Sequence, residues 1–262
     1  IYDFNGGDTS YFNVAYDSTA GVNTIVFTDR GNSEYGTSVV FRDTTSNNTD
    51  FAGITNQAIN NSASGEVVVE GGVITNASLI ASGVTVGSEN VFDTESASFI
   101  NVAYDASNNK LVVAYADGGN SNYGTAIVGT VSGSSVTFGS AVVGATSIVY
   151  DANAQKVVIS YQDGGASNRG RSVVGTVSGT SISFGSEAQF SGSSSVSTAL
   201  SSSYDANAQK VVIVYQDGGN SDYGTAVVGT ISGTDITFGS SAVYLTAGCD
   251  KQLQRHKHFY SV

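Results

Sequence analysis

The sequence contains no Pro, no Met and no Trp, and only one Cys. At ordinary usage a chain of 262 residues would carry about 13 Pro, so its turns must rest on other residues, and 32 Gly stand ready for them. The lone Cys249 excludes an internal disulfide framework and a thiolate zinc site. Residues 1–250 hold no His, which removes a Ser-His-Asp triad from the body of the chain. No apolar run reaches the roughly 18 residues of a membrane-spanning helix. No basic-then-apolar signal peptide opens the chain. Without Met, it reads as a processed product or an excerpt. Charge is sparse, at 12% against a usual share of about 25%. Ten basic residues oppose 22 acidic ones, a net −12 that disfavours nucleic acid.

What is present is repetition, which decides architecture before anything else. YDANAQKVVI occurs at Tyr150–Ile159 and again, identically, at Tyr204–Ile213. YDASNNKLVV at Tyr104–Val113 is a close copy, and YDSTAGVNTIV at Tyr16–Val26 a divergent one. Each copy reaches an Asp-Gly turn 12 residues after the Asp of its YD pair: Asp29, Asp117, Asp163 and Asp217. A second apolar run comes next (YGTSVVF, YGTAIVGTVSG, RGRSVVGTVSG, YGTAVVGTISG), and the last three continue into VTFGS, ISFGS and ITFGS.

The runs are short, β-branched and bounded by turn formers, without a sustained helical period. One unit therefore predicts four antiparallel strands joined by D-A-N-A-Q, D-G-G-N-S-x and S-G-x turns. The expected fold class is an all-β repeat protein of four-stranded units, a small β-propeller of four or five blades. An elongated trimeric β fibre is the rival architecture. The expected divisions are a first unit at 1–42, a small inserted β-module or degenerate blade at 43–98, units at 99–146, 147–190 and 191–248, and an atypical basic tail at 249–262. Within the module, strands are expected at Glu66–Glu70 and Val73–Ile80 around Gly71-Gly72. Three N-x-S/T sequons, at Asn47, Asn60 and Asn76, lie there too.

The phrase YDxxxxKVVIxYxDGGNSxYGTAxVGTVSGTxIxFGS resembles the repeats of structural and tail-fibre-like proteins of marine bacteriophages. The FAGITNQAI…SGEVVVEGGV…GVTVGS segment is similar to a short β-module of phage tail and fibre proteins. The two resemblances cover roughly residues 12–245. They imply a virion-exposed, extracellular, non-enzymatic fibre or adhesin. Its implied partners are a host-surface glycan or receptor, other virion proteins and further copies of itself. Ala141, Glu187 and Ser241 stand where such copies carry Pro after FGS, and the link between units shortens before Tyr150.

Three constellations carry candidate chemistry. Asp117 and Asn120, with Asp217 and Asp222, offer oxygen ligands on Gly-rich loops that would suit Ca²⁺; the competing reading is a plain Asx turn. Tyr35, Tyr123 and Tyr223 beside Asn32, Asn120 and Asn220 form a sugar platform, rings for stacking and amides for hydroxyls; the competing reading is packing between units. Arg169, with Arg171 two residues on, makes a positive spot for an acidic sugar or phosphate; the competing reading is a salt bridge with a neighbouring acid. Non-enzymatic binding of a host-surface glycan or protein through the turn rim is the expected function. A ligand-free structural fibre or capsid-decorating element is the first alternative, and a glycan-cleaving propeller using paired carboxylates the second.

Overall fold

The computed structural model describes residues 8–43, 67–69, 72–74, 84–143, 147–192 and 195–246. Every regular element in it beyond short turns is a strand, and every strand pairing is antiparallel. The first unit contains β1 (Thr9–Asp17), β2 (Val22–Asp29) and β3 (Tyr35–Asp43). A separate hairpin pairs β4 (Val67–Val69) with β5 (Gly72–Ile74). Next come β6 (Val84–Val86) and β7 (Asn90–Asp105), then β8 (Lys110–Asp117), β9 (Tyr123–Ser132), β10 (Ser135–Phe138) and β11 (Val142–Val143). The third unit comprises β12 (Ser147–Asp151), β13 (Lys156–Asp163), β14 (Arg169–Ser178), β15 (Ser181–Phe184) and β16 (Ala188–Gln189). The fourth comprises β17 (Val196–Asp205), β18 (Lys210–Asp217), β19 (Tyr223–Ser232), β20 (Asp235–Phe238) and β21 (Ala242–Leu245).

Each unit is a four-stranded meander whose outer strand is broken in two. In the second unit β10 and β11 both pair with β9, on either side of Gly139. β15 and β16 repeat this against β14, and β20 and β21 against β19. In the first unit β6 and the start of β7 take the same two places against β3. Residues 84–96 therefore complete the first unit, whereas the sequence pattern assigned them to a module at 43–98. The inserted stretch occupies the connection that is a tight Ser-Gly turn elsewhere. Its hairpin strands β4 and β5 fall where strands were expected around Gly71-Gly72, and the rest of the expected strands, the sequons, Cys249 and both His lie outside the described residues.

The YD pair has a structural reason. Asp105 Oδ1 accepts the backbone N–H groups of Ser107 (3.0 Å) and Asn108 (3.1 Å). Asp17, Asp151 and Asp205 do the same for their own turns. These Asx turns satisfy backbone donors that a tight turn would otherwise orphan. In units 2 to 4 the Tyr of the YD pair reaches the preceding unit. Tyr104 donates to Thr19 Oγ1 (2.8 Å), Tyr150 bonds Ser107 Oγ (2.6 Å), and Tyr204 accepts from Asn153 N (3.2 Å).

Three apolar clusters lie between consecutive sheets. Val26, Val40, Leu111, Val113, Tyr115 and Ile127 join units 1 and 2. Val112, Ala114, Ala126, Val128, Val157 and Ile159 join units 2 and 3. Val158, Val174, Val211, Ile213 and Tyr215 join units 3 and 4. Alternation along each strand thus supplies one face to each neighbour. Among the described residues no such cluster joins unit 4 to unit 1, the interface that a closed four-bladed ring would require. The all-β, four-stranded repeat architecture stands.

Close approach fixes the spacing of the sheets. A Cβ on Gly87 would lie 1.8 Å from the Ser134 carbonyl oxygen of the next unit. One on Gly139 would lie 1.9 Å from that of Thr180, and one on Gly185 2.0 Å from that of Thr234. Only Gly fits there, which is why FGS (VGS in the first unit) recurs.

Candidate functional site

The four Asp-Gly turns all connect the second and third strands of a unit, so topology sets them on one side of the array. In the last three units the Asp shapes the turn, whereas Asp29 makes no such bond. Asp117 Oδ1 accepts Asn120 N (3.1 Å), Asp163 Oδ1 accepts Gly165 N and Ala166 N, and Asp217 Oδ1 accepts Gly219 N (3.0 Å). Each turn then closes through two left-handed residues, Ser121 and Asn122 in unit 2 (φ 55° and 57°) and Ser221 and Asp222 in unit 4. The bonding is that of an Asx turn.

The expected site residues spread over all four turns. Asn32, Asn120 and Asn220 are exposed at their turns, and Asp222 lies beside Asn220. Tyr123 is 60% exposed, whereas Tyr35 and Tyr223 are half-buried. Arg169 is half-buried, with Nη1 3.5 Å from Gln189 Oε1. The four proposed Ca²⁺ ligands fall in two separate units, and among the described residues no group of three or more His, Cys, Asp or Glu is arranged to hold a metal ion.

In unit 2 the rim forms a cleft. Asp117, Gly119, Asn120 and Thr125 line it together with Asp93, Glu95 and Ala141, around about 390 Å³. Asp117 and Asn120 come from the turn. Asp93 and Glu95 come from the first half of β7, the strand that completes unit 1 and then enters unit 2. Phe92 pins this strand: it lies 5.1 Å from the Tyr115 ring and 5.5 Å from that of Phe138. Asp93 Oδ1 accepts Glu95 N at 2.8 Å. Tyr115 donates its hydroxyl to Asp93. Burial holds the Asp93 carboxyl above the usual carboxylate range, and the charges of Asp117 and Glu95 add to this. Burial, and then the Asp93 charge, push the Tyr115 phenol up as well. Tyr123 lies two residues before Thr125 on β9, hence on the same strand face as the cleft.

The repeat-related place in unit 3 is filled from within. Arg171 stands where unit 2 has Thr125, and Glu187 where it has Ala141. Arg171 Nε is 2.7 Å from Asp163 Oδ2, and its Nη1 is 3.4 Å from Glu187 Oε2. Tyr161 donates to Glu187, and burial raises its phenol well above the ordinary value. The Arg171 charge is thus spent on two neighbouring acids. In unit 1, Asp29 is 4% exposed with Oδ1 unpartnered, and burial and the Asp29 charge raise the Glu89 carboxyl. In unit 4, Ser241 and Tyr215 are hydrogen-bonded in the corresponding place.

Asp93, Glu95 and Glu187 escaped the sequence reading. A signal existed: VTVGSE at Val84–Glu89 matches VTFGSA, ISFGSE and ITFGSS, and places the residues after it beside the next unit's turn. No protein-family model matches the chain, and no curated protein matches it.

Proposed function

We propose that the chain is the binding part of a virion-exposed, non-enzymatic fibre or adhesin that attaches to a host-surface glycan or protein, and that the unit-2 cleft is its contact. One observation carries the reading. Unit 2 leaves open, between Asp93, Glu95 and Asp117, the place that unit 3 fills with its own guanidinium. Three carboxylates without a cation offer acceptors to a ligand rich in donors, either sugar hydroxyls and amines or the basic side chain of a protein. Tyr123 adds an exposed ring on the same strand face for stacking on a sugar. An acidic sugar or phosphate, by contrast, would meet repulsion here. The finer architecture proposed is an arc of propeller-like blades that carries its rim turns outward.

The test is binding of the full chain to immobilised neutral and amino-sugar glycans, acidic glycans and host cells. The expected result is retention on neutral or amine-bearing targets, lost in Thr125→Arg, which supplies the missing guanidinium internally. Retention on acidic glycans alone, or binding indifferent to Thr125→Arg, would overturn the reading. A purely structural role is the second reading, favoured by the near-identity of units 3 and 4; binding to no target, with assembly into long particles, would establish it. Turnover of a glycan, lost in Asp93→Asn, would replace both with the enzyme reading.

A further inference from the structure

Asp29 departs from its three repeats. Asp117, Asp163 and Asp217 each give a carboxylate oxygen to the backbone N–H groups of their turns. Asp29 caps no N–H, is 4% exposed, and keeps a buried Oδ1 with no hydrogen-bond partner. A buried carboxylate is unfavourable unless a cation or a proton joins it. Unit 3 shows what fits in this place. Asp163 and Glu187, the counterparts of Asp29 and Glu89, lie on either side of the Arg171 guanidinium, at 2.7 Å and 3.4 Å. Unit 1 keeps the frame that sets this separation. Thr37 and Ser38 pair with Val91 and Asn90 as Arg171 and Ser172 pair with Gln189 and Ala188, and each Glu comes one residue before the second of those strand segments. The cation itself is replaced: Thr37 stands in the position of Arg171. Arg30, the next residue after Asp29, turns instead to Asp8, at 3.6 Å. Among the described residues no ion pair involves Asp29 or Glu89. Burial, and then the Asp29 charge, raise the Glu89 carboxyl, so the two acids act on each other.

We infer that Asp29 and Glu89 hold a hard divalent cation, of the calcium or magnesium class, where unit 3 holds a guanidinium. The donors set the class. Carboxylate oxygens suit hard cations, and residues 1–248 contain no Cys or His for a softer metal. The two acids have different parts. Asp29 is sealed and supplies a fixed negative charge; Glu89 is exposed and leaves the outer side of the ion to water. Two protein carboxylates, with water completing the shell, is a mode that magnesium uses. A small ion also suits the depth better than a side chain from a partner, since so little of Asp29 meets solvent. The site lies in unit 1 and uses neither Asp93 nor Asp117, so the inference is independent of the cleft in unit 2.

Thermal unfolding and titration calorimetry of the chelator-treated full chain, with calcium or magnesium chloride alone, test it. Physiological salt screens diffuse attraction to a chain of net −12. The expected result is one ion bound per chain, with a Kd on the order of 10⁻⁴–10⁻³ M and a Tm that rises with metal concentration. Asp29→Asn, which keeps the shape of the side chain, should weaken binding about tenfold or more. Glu89→Gln, at an exposed residue whose change should not disturb folding, should weaken it in the same direction and decides the matter if Asp29→Asn does not fold. Asp235→Asn, an exposed acid of unit 4, should leave binding unchanged. Neither heat nor Tm shift with either metal would overturn the inference. So would binding that survives Asp29→Asn and Glu89→Gln intact, which would put the ion elsewhere, or equal weakening by Asp235→Asn, which would mark a diffuse effect of charge.

Discussion

Units 2 and 3 share strand order, turn chemistry and register, and they treat one place on the rim in opposite ways. Unit 3 builds a network of Asp163, Arg171, Glu187 and Tyr161 that satisfies its own charges. Unit 2 keeps the turn carboxylate, replaces the cation with Thr125, and receives two more acids from the strand of its neighbour. The link between units explains the contrast. A long link enters unit 2 and carries Phe92, Asp93 and Glu95; a short one enters unit 3. A similar long link enters unit 4 with Phe190, whose ring lies 5.2 Å from that of Tyr215, but Ser191 comes after it in place of Asp93. A repeat can thus hold its fold constant while its links and two rim positions decide which unit stays open to a ligand.

The comparison breaks most severely at its anchor. Phe92→Ala removes the ring between Tyr115 and Phe138 and should cost about 3–5 kcal/mol. Chemical denaturation would measure it, and an exposed residue such as Val91→Ala should cost far less. Next comes Arg171→Thr, which gives unit 3 the residue of unit 2. It leaves Asp163 and Glu187 facing each other and should lower stability by about 1–2 kcal/mol, an effect that high salt reduces. The reciprocal change, Thr125→Arg, should weaken ligand binding tenfold or more, which is about 1.4 kcal/mol, while leaving the melting temperature level or slightly higher.

The smallest effect is that of pH on Asp93. Its carboxyl holds a proton more readily in the fold than in the unfolded chain, because burial opposes the charge. The folded state therefore binds more protons in the window just above the ordinary carboxylate range. There this group's contribution to stability falls as pH rises, and at neutral pH it is a net penalty. Asp93→Asn should relieve the penalty, which solvent screening of this partly exposed group keeps small, raising the Tm slightly at pH 7 and flattening the stability profile in that window. Equal pH profiles for the two proteins would show that Asp93 carries no such strain.

Much of the fold was legible because the repeat states it several times over. The YD, D-G-G-N and S-G turns each mark a place where backbone donors need a side chain or a left-handed residue, and the structure puts turns at all of them. The first unit was harder. Its insertion separates β3 from β6, and pairing across such a gap leaves no local pattern. The four turns were legible as a rim, but the cleft was not. Asp93 and Glu95 lie in a link outside the repeat, and only packing of Phe92 into the next core brings them beside Asp117. Arg171 was readable as a charge, and its partner Glu187 was visible only once the broken outer strand was seen to fold back over β14.

β7 has a mechanical consequence. Its 16 residues pair with β3 through their first part and with β8 through their second, so one unbroken strand belongs to two sheets. Units 1 and 2 cannot part without tearing that strand out of one of them, whereas units 2 and 3 are joined by a short link between separate strands. In an array whose neighbours otherwise interact pair by pair, the first two units should open as a single cooperative block. Under load, or in amide exchange, the weak seam is the one between units 2 and 3.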